Sequence, residues 1–466
     1  MKIYNLEEQR ALVFGEQPEI NLVGACKLGS GVIQHSSFEK KRFIHKFIHN
    51  EEKVTLFIPA SGSGSRMFQF LYDFLEEPND DNRSKTEKFL NAIESFAFFE
   101  LLPYESKKKV RTYDIDLDEF VAYLLKKEGL GLGGIPKGLL PFHRSRSFVL
   151  NAFQEHLLQG LKLKEANVEF HFTINERFED RIFDSLKNIE ALTARKTVIS
   201  CSSQDSDTDA YAFDENQKPV KLDDGSYLTR PSGHGALLSN LNSVDSDIIF
   251  IKNIDNIQHE SIAEHSIENF QYLGGMLLMV REEIKQTLKA SDIHAATQRL
   301  NEIYQFWNTS NDITALDKAE LTAFLSRPIR VCGMVRNEGQ PGGGPFWVEN
   351  NGAVTKQIVE KAQIKMRGEQ YRLMVQSQYF NPVLMALSTR NAAGDKLDLT
   401  DFSDEDKFFT VDKKFKGKPI KYMERPGLWN GSMANWLTVF VEVSSETFTP
   451  VKNVLDLLSK SHREQE

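Results

Sequence analysis

Val54-Thr55-Leu56-Phe57-Ile58-Pro59-Ala60-Ser61-Gly62-Ser63-Gly64-Ser65-Arg66-Met67 is the stretch on which the reading of this chain turns. Its first half is apolar and β-branched, the pattern of a strand buried in a parallel sheet. Its second half is a Gly/Ser loop ending in an arginine, and the spacing predicts a helix over 68–76. Small residues let backbone N–H groups come close to phosphate oxygens. A helix N-terminus adds partial positive charge, and a guanidinium offers a two-pronged contact. The stretch therefore reads as a phosphate or nucleotide loop, with a plain tight turn as the alternative.

Outward from this point, strands and helices alternate. Strands are expected at 168–174, 197–200, 247–251, 330–335 and 437–443, and helices at 148–161, 177–187, 235–241 and from 451. This order predicts an α/β fold with a Rossmann-like, mixed and mostly parallel sheet. Residues 1–50 read as an N-terminal helical cap and 51–400 as the core. Within that core, about 81–130 forms a helical insertion in which Phe89, Ile93, Phe96 and Phe99 recur at helical spacing, a packing stripe. A long helical stretch is expected over 262–325. Residues 401–466 read as a C-terminal segment that completes the site, after a β-containing final third.

Composition narrows the class. With 466 residues the chain can bury a large core, and a net charge of −9 disfavours a general nucleic-acid binder. Three cysteines, Cys26, Cys201 and Cys332, lack metal-ligand spacing and suggest a reducing compartment. No secretory leader or membrane-spanning run is evident, so a soluble cytoplasmic protein is expected.

Four further clusters fall where an open α/β sheet places its ligands, beyond the carboxyl ends of strands. Lys137, between Pro136 and Gly138, is a phosphate contact or a solvated turn lysine. Pro231-Ser232-Gly233-His234-Gly235 precedes a helix; His234 is a ligand contact or a packing residue. Asp255, in Asn253-Ile254-Asp255-Asn256 after the most apolar strand, needs a cationic partner or a metal unless it caps a helix. Oxygen-rich surroundings there suit Mg²⁺. Lys452, in Phe448-Thr449-Pro450-Val451-Lys452, is a second turn lysine or a solvated side chain at a helix start. Together these are parts that phosphoryl and nucleotidyl transfer require.

In this order the motifs resemble the UDP-sugar pyrophosphorylases of the nucleotide-diphospho-sugar transferase superfamily. The likeness runs from about residue 54 to 458. The whole chain also resembles a Bacteroidetes-type family described as a domain of unknown function with a pyrophosphorylase-like core. The resemblance implies nucleotide contacts at Ala60, Gly62, Gly64, Gln204, Gly233 and His234. It implies catalytic roles for Arg66, Lys137, Asp255 and Lys452, with Asp255 also binding Mg²⁺. The partners implied are a nucleoside triphosphate, with UTP the expected one, and a sugar 1-phosphate. The products would be a nucleotide-sugar and pyrophosphate. The first loop departs from the family's usual glycine pattern, and a helical block separates it from Pro136-Lys137. Segments 336–347, with Pro341-Gly342-Gly343-Gly344-Pro345, and 427–433 are candidate lids or sugar contacts. A non-catalytic nucleotide-sugar binder is an alternative. So is a glycosyltransferase using Asp205-Ser206-Asp207 or Asp207-Thr208-Asp209. A P-loop kinase is disfavoured because Gly-Lys-Ser/Thr is missing after the loop.

Overall fold

The computed structural model describes residues 2–146, 148–308, 315–339, 342–350, 352–364 and 367–464. The chain is mixed α/β, with a large and mostly parallel sheet. It divides into two compact units that interleave along the sequence. The first comprises Met1–Thr55, Gln204–Ile251 and Phe270–Ser445; the second comprises Leu56–Ser203, Lys252–Asn269 and Glu446–Glu466.

In the first unit, the strand Ile329–Arg336 runs parallel to Leu437–Glu442, which is parallel to Gly31–Ile33. Leu384–Ser388 lies antiparallel on its other side. Ile329–Arg336 is buried along all but its last residue, as expected of a strand covered on both faces. A separate antiparallel sheet joins Asn21–Ala25, Gly344–Asn350 and Ala353–Val359. Residues 1–50 differ from the all-helical expectation: two helices, Leu6–Phe14 and Ser37–Ile48, flank three short strands. Asn21-Leu22-Val23 alternates exposed, buried and exposed, a period of two that the polar surroundings disguise. Among its described residues the stretch 262–325 holds three α-helices, Glu264–Leu288, Ile293–Tyr304 and Lys318–Leu325. No helix among the described residues is long and apolar enough to cross a membrane.

In the second unit, Val168–Thr173 pairs in parallel with Val198–Ser202. Val54–Pro59, which runs into this unit at Leu56, neighbours Val168–Thr173 on the other side. The loop after it tightens into a 3₁₀ turn, Ser65–Phe68, and then the helix Gln69–Glu76. The block 80–134 contains helices and 3₁₀ turns without a strand. Its Phe89, Ile93, Phe96 and Phe99 are all buried, and Phe89 and Phe96 rings pack at 5.1 Å. Two expected helices change. Residues 148–161 begin as a strand, Phe148–Asn151, because Asn151 caps the helix Ala152–Gly160 through a reciprocal box with Gln154. Among the described residues after Val451 there is no α-helix; the Asp456 carboxylate accepts the Lys452 and Asn453 N–H groups, and the chain tightens into 3₁₀ turns at Val454–Leu458 and Lys460–His462.

Candidate functional site

Within the second unit, three separated segments meet at one carboxylate. The glycine loop bridges to the Pro136 segment: Gly64 N–H donates to the Ile135 carbonyl at 3.0 Å, and Lys137 N–H to the Gly62 carbonyl at 3.0 Å. Gly64 is required by this closeness, since a Cβ there would lie 2.7 Å from the Ile135 oxygen. Gly62 faces open space. Ala60 spends its own N–H on the Thr173 carbonyl, 2.9 Å away. The amides of Ala60 and Gly64, two residues expected as nucleotide contacts, therefore serve the scaffold.

The C-terminal segment is stitched beside Asp255. Thr449 N–H donates to Asn256 Oδ1 and Val451 N–H to the Asp255 carbonyl, both at 2.9 Å. This places Lys452 Nζ 2.9 Å from Asp255 Oδ2, and Lys137 Nζ reaches the same oxygen at 2.9 Å. Lys137 Nζ also donates to the Val451 carbonyl at 2.7 Å. That backbone acceptor has no side-chain signature and could not be read from sequence. Of the readings left open for Asp255, cationic pairing is the one the geometry displays.

Electrostatics match. Burial works against the Asp255 charge, but Lys137 and Lys452 outweigh it and hold the carboxyl below its ordinary range. Burial also pulls the Lys137 ammonium below its usual value; Asp255 opposes this, while Lys452 and Arg66 reinforce it. Arg66 thus lies close enough to act on Lys137. Two lysines and an arginine against one carboxylate leave an excess of positive charge, which suits an anionic ligand. The Lys452 side chain is 58% exposed and Asp255 only 11%, so the cluster has one open side.

The other predicted residues belong to the first unit. Gln204 donates to Asp209 Oδ1 at 3.1 Å. Asp205, from the Asp-x-Asp pair, caps its own turn by accepting the Asp207 N–H at 3.0 Å. Gly233 has φ +78, and a Cβ there would meet Glu424 Oε2 at 2.7 Å, so glycine is needed on both counts. His234 accepts the Leu428 N–H on Nδ1 at 2.8 Å, which places its proton on Nε2, 3.4 Å from Glu360 Oε1. Its ring stacks on Trp429 at 3.9 Å. Burial opposes the Glu360 charge, yet His234 and neighbouring donors keep its carboxyl low; burial pushes the nearby Glu424 up. Segment 427–433 therefore packs against His234. Of the proline-flanked glycines at 341–345, Pro341 lies outside the described residues.

Solved structures similar to this chain include the following three. A UDP-N-acetylglucosamine pyrophosphorylase so described from Entamoeba histolytica is 11% identical, with a TM-score of 0.48 over 90% of this chain and 82% of that one. A UDP-glucose pyrophosphorylase variant from Leishmania major is 11% identical, with a TM-score of 0.41 over 95% and 70%. A UDP-glucose phosphorylase from Trypanosoma brucei is 12% identical, with a TM-score of 0.42 over 96% and 74%. No curated protein matches the chain. A family model does match, over residues 1–463, and the chain belongs to that family, the Domain of unknown function DUF4301.

Proposed function

We propose that this protein is a sugar-1-phosphate nucleotidyltransferase, joining a nucleoside triphosphate (UTP by resemblance) to a sugar 1-phosphate. The observation that carries the reading is the convergence of Lys137 and Lys452 on Asp255, with Arg66 close by. A phosphate oxygen of the sugar phosphate attacks the α-phosphorus. The bond from that phosphorus to the bridging oxygen of the β-phosphate breaks, and pyrophosphate leaves with the bond electrons. No covalent enzyme intermediate forms. Catalysis comes from positioning and charge neutralisation. Lys137 and Lys452 turn from Asp255 towards phosphate oxygens, and Arg66 stabilises the departing pyrophosphate.

Asp255 also fits Mg²⁺ in a limited way. Both lysines meet its Oδ2, and among the described residues no group of three or more His, Cys, Asp or Glu forms a ligand cage. A Mg²⁺ ion there would take one protein carboxylate and complete its shell with substrate phosphates and water, as this ion commonly does. When bound it would supply charge neutralisation at the α-phosphate.

The test is pyrophosphate release from a panel of nucleoside triphosphates and sugar 1-phosphates with Mg²⁺. Release that depends on both substrates supports the proposal. Thermal stabilisation by nucleotide-sugar with no turnover by any pair would replace it with a binding protein. A cytoplasmic setting, where both substrates are made, is part of the proposal.

A further inference from the structure

Apart from the lysine cluster, the second unit buries a chain of titratable groups for which the proposed chemistry has no use. His143 on the strand Pro141–Ser145 and Glu155 on the helix Ala152–Gly160 have fully buried side chains, and His462 in the turn Lys460–His462 is buried as well. Glu155 Oε1 is 2.6 Å from His143 Nδ1. His143 Nε2 is 2.9 Å from His462 Nδ1. His462 Nε2 is 3.1 Å from the carbonyl oxygen of Thr449.

The far end sets the direction of the whole chain. A carbonyl only accepts, so His462 must carry hydrogen on Nε2. The two gaps before it each need one hydrogen as well. Three hydrogens across three gaps is one more than a carboxylate and two neutral imidazoles possess. The extra proton rests on Glu155, His143 or His462, and in each case the trio has no net charge. That is the inexpensive way to bury it.

We propose that Glu155, His143 and His462 form a one-proton relay that clasps the Thr449 carbonyl and so positions the turn bearing Lys452 against Asp255. The clasp stands on geometry alone; its value for catalysis rests on the nucleotidyl-transfer reading. Thr449 is held from both ends, since its N–H binds Asn256 while its carbonyl binds His462. All three relay members are therefore positioning residues.

Other groups bear on the relay from every side. Gln159 Nε2 donates to Glu155 Oε2 at 3.1 Å. The His259 ring lies 5.4 Å from that of His143, with its own nitrogens on Ser261 and the Arg144 carbonyl. Buried Lys252 and the more exposed Lys162 and Glu260 act on Glu155, and Asp456 acts on His462. Burial pushes Glu155 up to about 7 and both histidines down to about 3, which favours a neutral trio. The raised carboxyl contributes stability below the ordinary carboxylate range, lost as pH rises through about 7. The lowered imidazoles contribute above 6.5, and this is lost as pH falls towards 3. The clasp is therefore firmest near pH 6.5 and fails on the alkaline side when the shared proton leaves.

Hydrogen exchange of the peptide covering 446–463 in the full-length protein tests this, expressed as protection relative to intrinsic exchange at pH 6.5 and 9. Wild type is expected to lose about fourfold protection between the two pH values, the share that a carboxyl at about 7 still contributes at pH 6.5. Glu155→Gln should keep its protection at pH 9, because a carboxamide N–H donates to His143 at any pH while its oxygen accepts from Gln159. His462→Ala should be poorly protected at both. Unchanged protection of Val168–Thr173 shows that each variant is folded. Protection in wild type that does not vary with pH, or a Glu155→Gln protein weaker than wild type at pH 9, overturns the relay. Absence of turnover with this exchange pattern intact removes only the transferase reading; normal turnover with flat exchange removes only the relay.

Discussion

In the second unit Lys137 and Lys452 converge on one carboxylate, whereas in the first unit Arg330 and Lys356 lie in the core bonded, among the described residues, to neutral oxygens. Arg330 donates to Thr438 Oγ1 at 2.8 Å and to the Trp429 carbonyl at 2.6 Å. Lys356 donates to the Tyr304 carbonyl at 2.8 Å, with buried Cys26 and Cys332 nearby. The difference separates two uses of buried charge. Arg330 is sealed in and holds the Trp429 backbone, whose ring in turn supports His234. Lys452 is mostly exposed, so its pairing with Asp255 is one that an incoming phosphate can exchange. A sealed cation organises loops, and a rim cation can meet substrate.

The contrast is sharpest in turnover. Arg66→Ala should lower kcat by about two to four orders of magnitude with little change in Tm, and Lys137→Met should lower both, because it also strands the Val451 carbonyl and takes one cation from Asp255. Pyrophosphate release near the wild-type rate would erase the distinction. Arg330→Met should instead spare the phosphate cluster and destabilise the protein by about 1–3 kcal/mol, read by denaturant unfolding, because it strands the acceptors it now satisfies. Gly233→Ala should cost roughly 1–2 kcal/mol through its positive φ and the Glu424 contact. A further contrast lies in pH dependence. Burial lowers the Lys356 ammonium to about 7, so its share of stability is full above its ordinary value and is lost as pH falls to about 7. Lys356→Met should flatten the dependence of unfolding free energy between pH 7 and 10; an unchanged slope would mean that the ammonium is hydrated.

Local patterns carried most of what the sequence could show. The strand Val54–Pro59 and its loop were legible because an apolar run ending in glycines has few other structures open to it. Asp255 stood out because a carboxylate after an all-apolar strand needs a partner. Its lysines were legible as turn residues, though not their meeting on a single oxygen. The segment after Val451 reads as a helix from its apolar spacing, yet one carboxylate, Asp456, captures two amides and changes its course. The histidine relay was invisible, since His143 and His462 are 319 residues apart and neither has a motif around it. The sequence pattern also suggests serial domains, whereas contacts group three stretches into each unit. Only long-range packing decides that.

The interleaving has a consequence for biosynthesis. Asp255 and Lys137 leave the ribosome well before Lys452, which comes from the last of the second unit's three stretches. Until that stretch emerges, the carboxylate has one cation rather than two, and Thr449 is not there for the histidines to grip. The nascent chain therefore waits with the cluster unfinished, and a message ending at Ser445 would yield a chain that lacks Lys452, which the proposed transfer requires.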